Sequence, residues 1–294
     1  MSKAINQRRF RILALDVDGT LLDPDGAIRP RTAAAVARAA EAGIQPVLCT
    51  GRRYRRARPI AEQLVLNVPI VCNSGAMVKN PWNHQTLWRA DLDLAIVVTV
   101  LDIFETHGYP AVAFTDRCPH EADFIVRRFP SGLPLFDEYV NLNHQHAEVE
   151  PEWARDNGDE RHAPPPDARF HFCAVGSRVE MQAMERVVQG RLSGQVQTFV
   201  QRSPRYLGTM CEVLRHDASK WTAILDLAQL WGVDPSEICA VGDDVNDVPM
   251  IRNAGLGVAM GHAPAAVREA ADLVTGDHSR DGVAMLVDDV LLAP

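Results

Sequence analysis

Short apolar segments alternate with helical segments near both ends of the chain. FRILALDV, which starts at Phe10, is rich in branched residues, and the helical pattern PRTAAAVARAAEAG follows it and stops at Gly43. The order returns after Lys220, where SKWTAILDLAQLWG precedes the apolar segment EICAVGDD. Strands that alternate with helices form a parallel sheet with helices on both faces. This pattern predicts an α/β core.

The middle of the chain breaks this alternation. Two helical patterns, DLAIVVTVLDIFETHG and RVEMQAMERVVQGRL, are mixed there with four short strand patterns. The stretch 141–168 is polar and rich in proline and acidic residues, which predicts a long mobile loop. We therefore expect a core formed by residues 1–81 and 208–294, interrupted by an inserted α/β domain at 82–207.

Composition excludes several classes of protein. Hydrophobic residues make up 47% and charged residues 23% of the 294 residues, as in ordinary globular proteins. The net charge of −8 argues against nucleic acid as the main partner. The sequence contains no apolar run of about 18 residues, and its start lacks the apolar core of a secretory signal, so we expect no membrane span. The six cysteines form no Cys-x-x-Cys pair, which predicts buried, reduced thiols in a cytoplasmic protein.

Polar residues gather where predicted strands of the core end or where a helix begins. The segments DVDGT, CTGR and GDDVND follow three strands, and the dipeptide SK opens the helix after the inserted domain. In open α/β sheets, ligands bind outside the carboxyl ends of the strands. The candidate site residues in these segments are Asp16, Asp18, Gly19, Thr20, Thr50, Gly51, Arg52, Lys220, Asp243, Asp244, Asn246 and Asp247.

The carboxylates of these segments require compensating charge. Strand alternation would put Asp16 and Asp18 on the same side, and Asp243 and Asp247 add negative charge if their strand lies beside the first. Burying like charges together is costly. A cluster of carboxylate oxygens suits a hard divalent cation, with Mg²⁺ the commonest choice, and Lys220 can supply further positive charge.

Each segment taken alone also has a purely structural explanation. DVDGT can be a turn after a strand, Lys220 can be a solvated charge beside an Asp217 N-cap, and GDDVND can be a turn or a calcium loop. The conjunction is more specific, because all four segments occur in one order at strand or helix ends.

These segments resemble the motifs of the haloacid dehalogenase superfamily, in its Cof-like sugar-phosphatase branch. DVDGTLLD matches the first motif, CTGR the second, Lys220 the third and GDDVNDVPM the fourth. The resemblance covers about residues 10–80 and 208–290. It implies a Rossmann-like parallel-sheet core and an inserted α/β cap that selects the substrate.

The resemblance also implies the chemistry. Asp16 would attack phosphorus and form an aspartyl phosphate. Asp18 would protonate the leaving oxygen and then deprotonate water. Thr50 would hydrogen-bond a phosphoryl oxygen, and Lys220 would contribute positive charge.

The same resemblance implies a Mg²⁺ site. Asp16, the backbone carbonyl of Asp18 and Asp243 would hold the ion, and Asp247 would reach it through water. The residues implied to support the phosphate or the metal ligands are Gly19, Thr20, Gly51, Arg52 and Asn246.

Three positions depart from the branch. Trp221 follows the lysine where glycine is frequent, which suggests a tighter site. Asp244 occupies a position that often carries a small residue, which adds charge near the metal. Ser74-Gly75 stands near the usual Asn-Gly and is interpreted as a turn that faces the substrate.

Two other features carry less weight. GLGVAMG suggests a dinucleotide fingerprint, but its glycines flank a strand that follows a helix, which is the wrong order. His144 and His146 lie in the polar loop without a nearby cysteine, so we expect no zinc site there.

The predicted function is a Mg²⁺-dependent phosphatase that acts on a small phosphorylated metabolite such as a sugar phosphate. Two alternatives stay open from the sequence: a phosphomutase with the same nucleophile, and a non-catalytic binding protein. We further expect the inserted domain to move as a unit, with hinges near Asn80-Pro81 and Leu207-Gly208.

Overall fold

The computed structural model describes residues 10–151, 163–201 and 205–293. The chain divides into two compact units, Met1–Trp88 with Ser219–Pro294, and Arg89–Ala218. One unit thus interrupts the other, with bounds farther along the chain than the predicted 82 and 207. Strands explain the difference. Thr86–Arg89 extends a sheet that starts in the first unit, and Thr209–Arg215 belongs to the sheet of the second.

The first part of the first unit forms a strand, helix, strand, helix series and then a small sheet. Its elements are β1 (Ile12–Leu15), α1 (Pro30–Glu41), β2 (Gln45–Leu48), α2 (Tyr54–Gln63), β3 (Ile70–Cys72), β4 (Met77–Lys79) and β5 (Thr86–Arg89). An isolated bridge joins Val71 of β3 to Cys49, the residue after β2, and β3 pairs antiparallel with β4. The predicted third strand of the main sheet therefore belongs to a separate three-stranded sheet.

The second unit is a six-stranded sheet with an apolar core under two helices. Its elements are α3 (Leu94–Thr106), β6 (Val112–Phe114), β7 (Phe124–Val126), α4 (Pro134–Leu142), β8 (Ala147–Val149), β9 (His171–Gly176), α5 (Arg178–Leu192), β10 (Val196–Gln201) and β11 (Thr209–Arg215). The strand order is β10-β11-β9-β6-β7-β8. Side chains of α3 and α5, such as Phe104 and Met181, share one buried cluster with Phe172 of β9.

The stretch 141–168 is not a loop throughout. β8 lies inside it and pairs parallel with β7, so the loop prediction is wrong for Ala147–Val149. A strand of three residues is too short to show alternation in the sequence. Residues 152–162, at the centre of the predicted mobile loop, lie outside the described residues.

The last part of the chain completes the first unit. Its elements are α6 (Lys220–Leu230), β12 (Ile238–Gly242), α7 (Val248–Asn253), β13 (Leu256–Ala259), α8 (Ala265–Arg268), β14 (Leu273–Val274) and α9 (Gly282–Leu286), which continues as a π-helical turn over Val287–Leu291. Ile12 and Ala14 of β1 pack with Ile224 of α6 in one buried cluster. The side chains that alternate with them, Leu13 and Leu15, face the opposite side of the sheet.

The main sheet has the order β14-β13-β12-β1-β2, and all its neighbouring strands are parallel. From β1 the chain moves to β2 in one direction, and from β12 it moves to β13 and β14 in the other. The strand order therefore reverses between β1 and β12, which is where open α/β sheets bind ligands. The predicted α/β class with a parallel core sheet is confirmed.

Two expectations from composition can be compared with the structure. All six cysteines are free and buried, as predicted. Among the residues that the structure describes, no helix combines the length and apolar character needed to cross a membrane.

Candidate active site

Asp16 lies at the reversal point of the sheet, directly after β1. Its N–H donates to Val241 O of the neighbouring β12 at 3.0 Å, and its side chain is buried. β1 ends at Leu15, and the chain then turns, with Val17 O accepting the N–H groups of Leu21 and Leu22. Because the strand has ended, alternation does not govern the residues that follow. The argument from strand alternation therefore does not apply to Asp16 and Asp18, so that they share a side stays a prediction. Their carboxylates have different partners, Lys220 and Arg52.

Lys220 brings three of the predicted segments together. Its Nζ lies 2.7 Å from Asp16 Oδ1, 2.6 Å from Asp247 Oδ1 and 3.4 Å from Asn246 Oδ1. Lys220 is the first residue of α6, whose N-cap is Ser219, with Ser219 Oγ accepting the N–H of Thr222. The cap fixes where the helix begins and so where the lysine side chain starts.

Asp247 is fully buried, and both of its carboxylate oxygens have partners. Oδ1 binds Lys220, while Oδ2 accepts the backbone N–H groups of Asp243 and Asp244 at 3.0 and 3.1 Å. Gly242 makes this possible, since a Cβ there would lie 2.4 Å from Asp247 Cβ. Asp247 is thus placed to fix Lys220 and the loop after β12.

Asp243 completes a group of three carboxylates. Asp16, Asp243 and Asp247 each offer an oxygen, and these oxygens lie within 4.8 Å of one another. Thr20 Oγ1 donates to Asp243 Oδ1 at 3.3 Å. Gly19 has a φ of +82°, and a Cβ there would lie 2.3 Å from Asp243 Oδ2. The glycine is therefore required both by the turn and by the close approach of the carboxylate.

The charges of this group are not balanced by the protein alone. Burial, and then the charge of Asp247, raise the pKa of Asp16 well above its usual range. The same two causes raise the pKa of Asp243 to about 7. Burial acts to lower the pKa of Lys220, but Asp16 and Asp247 outweigh it, so the pKa is raised and the ammonium keeps its charge.

These residues fit a hard divalent cation. One ammonium faces three carboxylates, and the donor atoms are all oxygens, which Mg²⁺ prefers. The raised pKa values of Asp16 and Asp243 show that the group lacks positive charge. Asp16 and Asp243 are the better direct ligands, because the oxygens of Asp247 are already occupied.

Asp18 and Arg52 form a second pair at the ends of β1 and β2. Arg52 Nε donates to Asp18 Oδ2 at 2.6 Å, and Nη2 donates to Oδ1 at 2.5 Å. The Arg52 N–H also donates to Thr50 Oγ1 at 3.0 Å. Arg52 therefore links the predicted acid-base residue to the predicted phosphate-binding threonine, and Gly51 lies between them in the chain.

The three departures have local explanations. Asp244 caps the turn that follows it, since its Oδ1 accepts the N–H of Val245 at 2.7 Å. Trp221 packs against the buried cluster of β1 and α6. Gly75 has a φ of +92°, and a Cβ there would lie 2.1 Å from the Ser219 backbone carbon. Packing at the start of α6 thus requires a glycine here, and that the turn faces the substrate stays a prediction.

Sequence reasoning missed two histidines at this edge of the sheet. His278 follows β14, and its Nδ1 lies 3.0 Å from Gly19 O. His262 follows β13, and its Nε2 lies 3.6 Å from Asp243 Oδ2. The sequence does contain a signal, because both residues stand just beyond strands of a parallel sheet whose other strand ends carry the candidate residues.

The sequence matches a family model described as haloacid dehalogenase-like hydrolase over residues 13–287. The chain belongs to this family. The family resemblance stated from the motifs is thereby confirmed. The match spans both units, so the inserted unit is part of this haloacid dehalogenase-like hydrolase.

Two named relatives align over nearly the whole chain. Pyridoxal phosphate phosphatase YbhA of Escherichia coli is 29% identical, and the alignment covers 94% of this chain and 97% of the relative. 5-Amino-6-(5-phospho-D-ribitylamino)uracil phosphatase YitU of Bacillus subtilis is 28% identical, with 95% and 96% covered. The prediction that this haloacid dehalogenase-like hydrolase is a phosphatase is confirmed by the family match and these names.

A solved structure shows the same fold. A haloacid dehalogenase-like hydrolase from Bacteroides thetaiotaomicron is similar with a TM-score of 0.75 and 25% identity. The alignment covers 96% of this chain and all of that chain. The two proteins therefore share a fold.

Proposed function

We propose that this protein is a Mg²⁺-dependent phosphatase that hydrolyses a small phosphorylated metabolite through an aspartyl phosphate on Asp16. The observation that carries the proposal is the position of Lys220 Nζ, 2.7 Å from Asp16 and 2.6 Å from Asp247. Lys220 places positive charge directly beside this buried carboxylate, and a carboxylate in that position is suited to attack phosphorus.

The first step transfers the phosphoryl group to the protein. An oxygen of Asp16 forms a bond to phosphorus while the bond from phosphorus to the substrate oxygen breaks. The carboxylic acid of Asp18 gives its proton to that leaving oxygen, so the product departs as an alcohol. Arg52 holds both oxygens of Asp18, so this guanidinium must release Asp18 before the step.

The second step releases phosphate. The carboxylate of Asp18 accepts a proton from water, and the water oxygen forms a bond to phosphorus. The bond from phosphorus to the Asp16 oxygen breaks, which restores the carboxylate. Lys220 keeps its charge beside Asp16 in both steps, and the hydroxyl of Thr50 donates to a phosphoryl oxygen.

Asp16, Asp243 and the backbone carbonyl of Asp18 would hold the cation, and Asp247 would reach it through water. When bound, Mg²⁺ supplies positive charge that offsets the carboxylates and the phosphoryl oxygens. The protein's own contribution is to hold these ligands in place through Thr20, Asn246 and the backbone N–H groups that Asp247 binds.

The substrate is a small phosphorylated metabolite. The relatives are named for pyridoxal phosphate and for a phosphorylated ribitylaminouracil, which are both compact phosphate monoesters. The inserted unit, Arg89–Ala218, selects among such molecules, while the phosphate itself is bound by residues of the first unit.

The test is a phosphate-release assay with a panel of metabolite monophosphates, pyridoxal phosphate included, in Mg²⁺ and in excess chelator. Acid quench after brief mixing with substrate, followed by hydroxylamine, detects an acyl phosphate. Asp16→Asn is the matched control, since its amide keeps the shape but is not nucleophilic. We expect phosphate release in Mg²⁺ and none in excess chelator. We expect trapped acyl phosphate in wild type and none in Asp16→Asn.

Absence of phosphate release from the whole panel would refute the phosphatase. Formation of an isomeric monophosphate without free phosphate would indicate a phosphomutase instead. Binding of a panel member that is unchanged by Asp16→Asn, without turnover, would indicate a binding protein.

A further inference from the structure

Two histidines stand at the same sheet edge as the carboxylates. His262 comes three residues after the end of β13, and His278 comes four residues after the end of β14. Because the strands are parallel, their carboxyl ends meet at the edge that also carries Asp16 and Asp243. Neither histidine takes part in the two chemical steps proposed above.

The two imidazole rings contact each other. Their centroids are 4.0 Å apart, with an angle of 57° between the ring planes. His278 Nδ1 is 3.0 Å from Gly19 O, and since a carbonyl only accepts, this nitrogen carries the proton. His262 Nε2 is 3.6 Å from Asp243 Oδ2. The pair therefore joins the loop after β1 to the carboxylate after β12.

Gly19 and Asp243 also touch directly. The Cα of Gly19 packs so closely on the Asp243 carboxylate that a Cβ would lie 2.3 Å from Oδ2. The next residue, Thr20, donates to Asp243 Oδ1. A shift of the Gly19 backbone must therefore shift the Asp243 carboxylate, and the hydrogen bond from His278 opposes that shift.

We propose that His262 and His278 are positioning residues for the cation site. His278 fixes the Gly19 carbonyl, and His262 packs on His278 and limits rotation of the Asp243 carboxylate. Partners that orient metal ligands in this way typically contribute tenfold to a hundredfold in metal affinity. This inference rests on the proposed function for the identity of the cation.

The test is the affinity of the full-length protein for Mg²⁺, measured by isothermal titration calorimetry without substrate. His278→Leu removes the donor, and we expect the Kd to rise about tenfold. His278→Asn keeps an N–H donor, and we expect it to stay within about threefold of wild type. Ser279→Ala, an exposed neighbour in the same turn, is the control and should leave the Kd unchanged.

A second measurement separates positioning from general stabilisation. The free energy of unfolding in excess chelator reports a merely structural role, whereas the Kd for Mg²⁺ reports the position of Asp243. We expect the substrate KM at saturating Mg²⁺ to be unchanged in His278→Leu. His262→Leu, which keeps the hydrogen bond to Gly19, should raise the Kd about threefold.

The outcomes distinguish the two claims. If wild type binds no Mg²⁺, the metal requirement of the proposed function is refuted. If wild type binds Mg²⁺ and the Leu variants that fold bind it with the wild-type Kd, the inference about the histidines is overturned and the proposed function stands.

Discussion

At the scale of single residues, the candidate site depends on one buried ammonium. The Lys220 side chain is 1% exposed and touches Asp16 and Asp247, which are themselves buried. Removing one partner of a buried ion pair leaves an uncompensated charge in a medium of low dielectric constant, which costs more than the pair contributes. Lys220 therefore supports both the fold and the proposed nucleophile.

Lys220→Met should abolish phosphatase activity and lower the free energy of unfolding by about 3–5 kcal/mol in chelator. The physical cause is that Asp16 and Asp247 lose their shared cation. Adding Asp247→Asn should recover part of the stability and none of the activity. Urea unfolding and the phosphate-release assay provide the measurements. If Lys220→Met were as stable as wild type, Lys220 would not be required to compensate Asp16 and Asp247.

Arg52 is the other residue whose partners suggest a role. Arg52→Gln should raise the substrate KM about tenfold, the effect of losing about 1.4 kcal/mol of binding to the phosphate dianion. Stability should change by less than 1 kcal/mol, since the Asp18 partner is 46% exposed. Arg52→Lys retains the charge without the bidentate geometry, so its KM should lie between those of wild type and Arg52→Gln. If steady-state kinetics gave the same KM for Arg52→Gln and wild type, Arg52 would not contact the substrate.

At the scale of elements, the start of α6 is set by what packs on it. The turn after β3 brings Gly75 against the backbone of Ser219 and Lys220, where a Cβ would be 2.1 Å from a backbone carbon. Backbone atoms cannot move aside as a side chain can. The turn at Gly75 and the start of α6 therefore fix each other's position. Because Lys220 is the first residue of α6, this contact also fixes the position of Lys220.

Gly75→Ala should destabilise the protein by more than 2 kcal/mol and reduce activity, because the turn must move away from α6. Gly43→Ala is the matched control: its φ is +86°, close to the +92° of Gly75, but its Cβ would meet nothing within 4 Å. The control carries only the backbone strain, about 1 kcal/mol. Equal unfolding free energies for the two variants would contradict the packing argument.

β9 carries a buried histidine, from which we expect the stability of the second unit to depend on pH. His171 is 1% exposed and packs against Phe114, and burial lowers its pKa to about 3. Glu212 Oε1 lies 3.8 Å from His171 Nε2, beyond hydrogen-bonding distance. In the unfolded chain the pKa is 6.5, so between pH 6.5 and about 3 the unfolded state binds more protons.

Stability should therefore fall as the pH drops through this window. Glutamine does not titrate, so the free energy of unfolding of the His171→Gln variant should fall by about 2 kcal/mol less than that of wild type between pH 7 and pH 5. Urea unfolding at several pH values, followed by a probe in the second unit, measures the difference. Parallel pH profiles for the two proteins would show that the pKa of His171 is the same in the folded and unfolded states.

At the scale of the whole molecule, the proposed chemistry and the proposed substrate selection belong to different units. The first unit contains Asp16, Asp18, Lys220 and Asp243, and the second unit contains none of the proposed chemistry. The family match covers both units. The division suggests that phosphate chemistry and substrate choice can be separated by deletion.

Replacing residues 89–218 with a short glycine-serine linker should leave a first unit that binds Mg²⁺. It should hydrolyse p-nitrophenyl phosphate slowly, and its kcat/KM values should converge across the metabolite panel, because the phosphate is the group it still contacts. Calorimetry and the release assay measure the two properties. A truncated protein that kept the substrate ranking of the full chain would show that the second unit does not set specificity.

Features that depend on neighbours in the chain could be read from the sequence. The apolar runs of β1, β2 and β12, the helical spacing of α1 and α6, and the four polar segments that follow strands or open a helix are all local patterns. They were sufficient for the fold class and for the candidate residues in those four segments, but not for His262 and His278. β7 and β8 were missed because three residues show no period and, unlike β3 and β6, neither strand lies in a longer apolar run.

Tertiary structure decided which of these segments meet. That β12 lies beside β1 places Asp243 and Asp247 at Asp16, and this follows from strand order and not from any single segment. The pairing of Asp18 with Arg52, and the contact of His278 with Gly19, join residues that are 34 and 259 positions apart. Such contacts form because packing of the sheet brings strand ends that are far apart in the sequence to one edge. A local sequence pattern does not show which distant segment will lie beside it.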